Sequence, residues 1–519
     1  MSPTLGAERP VTAPPAPPRP RPANRAYWPD GLANAEADFL ARFPGFDPDG
    51  TFAALRRTEY GRLDATGQVY LDYTGGGLHA ASQIDAHAEL MRSRVLGNPH
   101  SNNPTSLAST ALVQQARRRV LEFFNAPPDE YLCIFTPNAS GALRLVGESY
   151  PFEPGGTFAL TFDNHNSVNG IREFARRRGA HVAYVPVVAP ELRLDRTAMT
   201  SVLRAAPPSA PNLVAFPAQS NFSGVQHPLE LVDEAHEAGW DVLVDAAAFA
   251  PTNRLDVGRI RPDFATFSFY KIFGFPTGVG CLLMRRDRFD AMVRPWFAGG
   301  TITIASVQGD GHYLHRDEAA FEDGTVDYLN LPGVTNGLDH VERVGLASVH
   351  DRVAYLTRWL LDTLTGLRHA NGLPLVQILG PTDTVARGGT VTFVLRDRDG
   401  RPIDDRRVEE LALQDNISLR TGCFCNPGAG EIAHHLGARE MAPWFGQKES
   451  VSFSDLRAEM RARYGVLVAA VRISVGLATD FADVYRFACF LQRFVDRSTD
   501  EIGRPEFVSA DCRVLRDSA

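Results

Sequence analysis

Ser268-Phe269-Tyr270-Lys271-Ile272-Phe273-Gly274-Phe275-Pro276-Thr277-Gly278-Val279-Gly280 contains one of only two lysines in the 519-residue chain. The other is Lys448, and arginine supplies every remaining basic side chain. Arginine serves ion pairs and phosphate contacts at least as well as lysine, but its guanidinium does not release a proton near neutral pH and cannot become a nucleophilic amine. The apolar run Phe264 to Phe269 reads as a strand, and the glycines after Lys271 as a tight turn. An amine at a strand end beside such a turn suits a Schiff-base lysine. The plainer alternative is a lysine that survives by chance on a solvated face.

Working outward, short apolar runs recur between helical stretches: Leu132-Phe135, Thr157-Phe162, His181-Pro186, Leu213-Phe216, Val242-Val244, Phe264-Phe269 and Gly280-Met284. Strands alternating with helices predict an α/β fold with a mostly parallel, seven-stranded sheet covered on both faces. Upstream, Gln68 to Tyr73 reads as a strand, Ala81 to Leu96 as a helix, Asn98 to Ser109 as turn-rich chain and Ala111 to Phe124 as a helix. Beyond Gly333 a long helix over about 336–365 and strands at Thr390-Leu395 and Val471-Val475 predict a smaller α+β unit, with 438–455 as a loop or insertion. The organisation expected is a Pro-rich disordered tail (1–35), an N-terminal segment packing with the small domain (36–95), a large domain (96–335), a small C-terminal domain carrying a cysteine loop (336–500) and a tail (501–519).

A net charge of -8 with arginines interspersed among carboxylates argues against nucleic acid as a partner. No apolar run reaches the roughly 18 residues of a membrane-spanning helix, and the Pro-rich start lacks the apolar core of a secretory signal. Six cysteines, scattered apart from Cys423-x-Cys425, do not make a disulfide framework, so a reducing, cytoplasmic compartment is expected.

In open parallel sheets ligands bind at the carboxyl ends of the strands. Residues just past the predicted strands are Asn138-Ala139-Ser140-Gly141, Asp163-Asn164-His165-Asn166, Asn221, Asp245 and Lys271. A small-residue turn opening a helix at Asn138 offers N–H groups and a hydroxyl to an anion. Asp245 ends an apolar strand, where a carboxylate needs a partner such as a protonated ring nitrogen, and His165 could stack on a flat ring. Taken singly, each has a plainer reading: a helix cap at Asn138 or Ser140, an arginine partner for Asp245, a hydrogen-bonded loop histidine. Together they supply an anion site, a flat clamp, a carboxylate and an amine, the contacts pyridoxal phosphate requires.

With these residues in order, the chain resembles the class V aminotransferase group of fold-type I pyridoxal-phosphate enzymes, and within it the cysteine-desulfurase domain of molybdenum cofactor sulfurases. The resemblance covers about residues 50 to 490. Its marks include Val69-Tyr70-Leu71-Asp72, Asn98-Pro99-His100-Ser101, Asp163-Asn164-His165-Asn166-Ser167-Val168, the Lys271 stretch, Phe321-Glu322-Asp323-Gly324-Thr325 and Arg420-Thr421-Gly422-Cys423-Phe424-Cys425-Asn426-Pro427-Gly428. It implies Lys271 as the Schiff-base lysine, Asp245 at the pyridine nitrogen and His165 on the ring. It further implies Asn138, Ala139, Ser140, Asn221 and Ser268 around the cofactor, and Thr325 reaching the phosphate from the neighbouring subunit of a homodimer. Arg472, with Asn221 and Arg420, would hold the substrate carboxylate; a structural salt bridge is the alternative for Arg472.

The reaction is decided by Cys423-x-Cys425. A desulfurase needs a thiolate on a loop that takes sulfur from bound L-cysteine and leaves alanine, and related bacterial desulfurases carry a cysteine that falls on Cys425. Cys425 is therefore the expected nucleophile, with Cys423 as an auxiliary thiol. A zinc site with His434 and His435 is the weaker reading, because that spacing is not the usual structural one; no metal is expected. The alternatives are another class V reaction on a small amino acid (C–S β-lyase, epimerase or aminotransferase) and a non-catalytic sulfur carrier. Where the sulfurase motif continues Asn-Pro-Gly-Ala-Cys, this chain has Gly430. The chain also ends soon after Arg493, where eukaryotic sulfurases continue into a further domain, so the sulfur acceptor stays open among molybdenum cofactor, a carrier protein and a biosynthetic intermediate.

Overall fold

Seven strands carry apolar side chains on both faces, which only a sheet sandwiched between helices can bury. In the computed structural model, which describes residues 27–293, 297–445, 452–506, 509–510 and 513–514, they form one sheet. The strands are β1 (Tyr131–Thr136), β2 (Thr157–Thr161), β3 (His181–Val185), β4 (Leu213–Pro217), β5 (Asp241–Asp245), β6 (Phe264–Ser268) and β7 (Gly280–Arg285). Their order is β1-β7-β6-β5-β4-β2-β3, with β7 antiparallel to both neighbours and every other pairing parallel. The pleat sends alternate residues of β7 into two cores: Cys281 and Leu283 join the layer containing Val120 and Phe267, Leu282 and Met284 the layer containing Leu143 and Val146. Each fully buried side chain of this kind contributes roughly 2 kcal/mol.

A second sheet orders β8 (Val376–Ile378), β9 (Thr390–Leu395), β11 (Ala470–Ser474) and β10 (Arg420–Gly422), all antiparallel. The segment expected as a strand over 68–73 is shorter, Val69–Tyr70, and pairs parallel with Ile417–Ser418. Its continuation brings Asp72 against Ser474. The N-terminal chain is thus stitched to the second sheet.

Four expectations change. The helix expected over 336–365 is two helices, Leu331–Val344 and Leu346–Gly366, parted at Gly345 (φ 87), a left-handed conformation that ends the first helix. The helix expected from Ala111 starts at Pro104, because Asn103 caps it by accepting from the Ser106 amide and Pro104 fills the first turn. Part of the expected 1–35 tail is helical: Leu32–Arg42 buries Phe39, whose ring stacks on Phe481. The 438–455 stretch contains helix Ala438–Phe445 and the start of helix Phe453–Tyr464. Lys448, Cys512 and the Pro-rich chain through residue 26 lie outside the described residues. Among the described residues no helix is long and apolar enough to cross a membrane.

Candidate functional site

The carboxyl ends of β2, β4, β5 and β6 open onto a cavity of about 190 Å³ lined by Asn138, Ala139, Ser140, His165, Asn221, Asp245, Ser268 and Lys271. Lys271 sits on the one-and-a-half-turn helix Phe269–Phe273 that follows β6. That helix stops at Gly274 (φ 80), where a Cβ would meet the backbone of Leu78 and His79, so only glycine fits. The residue opens to the cavity while its amine is enclosed by protein. Desolvation pushes the amine below the ordinary lysine value; nearby Asp245 opposes this, and Arg472 and Arg420 reinforce it. A share of neutral amine near neutral pH is what a Schiff-base lysine needs.

Asp245 is buried at the end of β5 and accepts from the Ala247 amide at 3.0 Å. His165 follows β2; its Nδ1 accepts from the Ser167 amide at 3.1 Å, which leaves the proton of the neutral ring on Nε2. Burial lowers its pKa, with Asp245 pulling the other way.

At the opposite end, Asn138 caps helix Ala139–Ser149 by accepting from the Gly141 amide. The Ser140 and Ser167 hydroxyls stand 2.5 Å apart, and Ser268 Oγ accepts from the Ala139 amide at 2.9 Å. Hydroxyls clustered at a helix N-terminus form an anion-binding end.

Arg472, on β11, is buried. It donates to the Asn221 carbonyl (2.9 Å) and to Asp72 Oδ1 (3.2 Å), while its Nε has no partner. Burial brings its pKa down to about 10. Arg420 lies directly opposite it across the β10–β11 ladder and grips Asp72 through Nε and Nη2, the latter at 2.7 Å from Oδ2. Arg420 goes the other way, raised chiefly by its hydrogen bond to Asp72. The two guanidinium groups differ because Arg420 is half exposed and Arg472 is not. Neither arginine is among the residues lining the cavity: Arg420 balances Asp72, and Arg472 reaches the cavity wall through the Asn221 carbonyl.

The cysteine loop follows β10. Gly422 (φ 108), Phe424 (φ 56) and Cys425 (φ 52) all take left-handed conformations, which leaves Cys425 exposed and turns the Phe424 ring inward. Asn221 Nδ2 donates to the Phe424 carbonyl at 2.8 Å, and Asn426 Nδ2 donates to Asn221 Oδ1 at 2.8 Å. The Asn166 amide donates to the Cys425 carbonyl at 2.7 Å. The charge of a Cys425 thiolate is felt at both Lys271 and Arg472.

Residues 69–487 match the family model described as aminotransferase class-V. The chain belongs to the class-V aminotransferase family. This class-V chain is 35% identical over 479 residues to a molybdenum cofactor sulfurase of Solanum lycopersicum, covering 84% of this chain and 56% of that protein. It is 34% identical to one of Homo sapiens, covering 86% and 52%. The chain spans about half the length of these curated relatives. Among solved structures it resembles a cysteine desulfurase of Thermococcus onnurineus NA1 (24% identity, TM-score 0.70, 85% of this chain and 98% of that chain). It also resembles a complex of a cystine C–S lyase with cysteine persulfide (20% identity, TM-score 0.62, 84% and 100%).

Pyridoxal phosphate fits the residues present in this class-V aminotransferase chain: an enclosed amine of lowered pKa, a buried carboxylate, an imidazole and a hydroxyl-lined helix end share one cavity. Thr325 is not among them. It is exposed, accepts from Asn98 at 3.3 Å and lines a separate cavity of about 370 Å³ with Thr136, Gly141 and Arg144. Among the described residues no group of three or more His, Cys, Asp or Glu is arranged to hold a metal ion. The sequence reading gave no part to Asp72, Ser167 or Phe424, although each lies inside a stretch that carried the resemblance.

Proposed function

We propose that this chain is a homodimeric, pyridoxal-phosphate-dependent cysteine desulfurase that leaves the sulfur of L-cysteine as a persulfide on Cys425 and releases L-alanine. The observation that carries this reading is the exposed Cys425, on a loop whose Phe424 carbonyl is held by Asn221, a residue of the Lys271 cavity wall. Pyridoxal phosphate supplies, when bound, an electrophilic carbonyl for the substrate amine and a ring that draws electrons from Cα. Lys271 Nζ anchors it and moves the α-proton of the bound amino acid, which its lowered pKa suits. Asp245 holds positive charge at the ring nitrogen, His165 covers the ring, and Asn138, Ala139, Ser140 and Ser268 cradle the phosphate. Arg472 offers its guanidinium to the substrate carboxylate. The Cys425 thiolate attacks the substrate sulfur: the S–S bond forms, the Cβ–S bond breaks, and its electron pair is protonated to give the methyl group of alanine. Thiol plus L-cysteine giving persulfide plus L-alanine needs no outside oxidant.

Thr325, outside the cavity of its own chain, is proposed to reach the phosphate across the dimer. Among the described residues no disulfide joins the cysteines, which supports a reducing, cytoplasmic setting. The relatives' names make molybdenum cofactor the first sulfur acceptor to try. Incubating the purified protein with L-cysteine should yield alanine and a mass gain of one sulfur on the Cys425 peptide, and Cys425→Ala should abolish turnover. Continued product release by that variant would instead favour a C–S lyase, and neither product from the wild type would end the proposal.

A further inference from the structure

Phe424 sits between the two loop cysteines, and nothing in the reaction requires its ring. It is nevertheless 7% exposed, packs against Phe222 with ring centroids 5.6 Å apart, and carries the Arg472 guanidinium 4.8 Å above its centroid. Its carbonyl accepts from Asn221, whose own carbonyl accepts from Arg472. A closed circuit therefore runs Arg472, Asn221, Phe424, with Cys425 as the next residue. Phe424 and Cys425 occupy successive left-handed conformations (φ 56 and 52), which cost free energy for residues with a Cβ and persist only where surrounding contacts impose them. The contacts around them are those of Phe424 to Arg472, Asn221 and Phe222 and the Asn166 amide's hydrogen bond to the Cys425 carbonyl.

We propose that Phe424 is a positioning residue, a latch that ties the Cys425 loop to whether Arg472 is engaged by an amino-acid carboxylate. The argument rests on the reading above in one respect, that Arg472 takes this carboxylate. With no substrate carboxylate bound, Arg472 keeps its bonds to Asp72 and the Asn221 carbonyl while its guanidinium lies over the Phe424 ring and holds the strained loop down. A substrate carboxylate, taken up by the guanidinium beside Asp72 through its unpartnered Nε, draws it off the ring, weakens the attraction, and lets the loop leave its left-handed turn. The thiol is then released when a substrate is present to receive it.

The test is iodoacetamide alkylation of Cys425 in the cofactor-loaded protein, followed by mass spectrometry with fragment ions that separate Cys425 from Cys423. L-alanine is the probe, since it carries the carboxylate but no sulfur, and its binding is followed independently by the visible absorption of the cofactor. Saturating L-alanine should raise the wild-type alkylation rate by up to roughly thirty-fold, the scale of one desolvated cation–π contact. Phe424→Leu should alkylate at the raised rate with or without L-alanine, and Phe424→Tyr, which keeps the ring, should restore the dependence. L-alanine that binds without changing Cys425 alkylation in the wild type would overturn the latch and leave the desulfurase reading standing. No L-alanine binding at all would overturn both. If Phe424→Leu does not fold, the wild-type comparison decides alone.

Discussion

Replacing Asp72 by asparagine should separate stability from ligand affinity. Asp72 stands between two guanidinium groups that face each other across the β10–β11 ladder. Asparagine removes the charge and turns an N–H donor toward arginine donors. Stripping one partner from a buried ion pair costs about 3–5 kcal/mol. The Arg472 side of the pair is 3% exposed against 11% for Asp72 and belongs to that class. Arg420 is 50% exposed, so its share falls to the surface scale of under about 1 kcal/mol. A net loss of about 3 kcal/mol follows, a fall in thermal midpoint of roughly 3 °C for a chain this long. Affinity moves the other way. Asp72 is an anion already on Arg472, so removing it deletes a competitor for the substrate carboxylate, and binding of L-alanine at neutral pH should tighten. The assay pairs thermal unfolding with an absorbance titration of the cofactor-loaded protein. A midpoint unchanged within about 1 °C, or binding weakened by about tenfold, would show that Asp72 orients Arg472 and does not counterbalance it.

Two further predictions concern pH and packing. Burial holds His434 at about 4 against an ordinary 6.5, so between these values the unfolded chain binds more protons and stability falls as pH is lowered through that window. His434→Gln should flatten the unfolding profile there by up to about 1.4 kcal/mol per pH unit, and an unchanged slope would remove His434 from the account. At Gly280 a Cβ would lie 2.6 Å from the Phe267 carbonyl and 2.7 Å from the Asn138 backbone. Gly280→Ala should therefore displace the phosphate end and weaken pyridoxal phosphate binding by roughly tenfold; unaltered affinity in a fluorescence titration would contradict it.

The seven strands were legible because a sheet buried on both faces leaves short apolar runs, and Lys271, Asp245 and His165 were legible because they stand directly after such runs. Asn138 proved to be a helix cap and a wall of the cavity at once, so its two readings were never exclusive. The break at Gly345 was hidden because hydrophobic periodicity continues on both sides and says nothing of φ. The Asp72–Arg420–Arg472 cluster was hidden for another reason: its members are 348 and 400 residues apart, and only the β10–β11 ladder and the Val69–Tyr70 pairing bring them together. Phe424 read as a spacer between cysteines, since burial of one ring in a glycine-flanked loop leaves no periodic trace.

The stitching of the N-terminal chain onto β11 sets an order of assembly during synthesis. Once residue 285 has been made, all seven strands of the large sheet exist, and with them Lys271, Asp245 and His165. The strand bearing Arg472 is made nearly two hundred residues later, and until then Asp72 and β10 have no β11 to join. A nascent chain thus has every strand around the Lys271 cavity before it has the Arg472 guanidinium that packs on its cysteine loop.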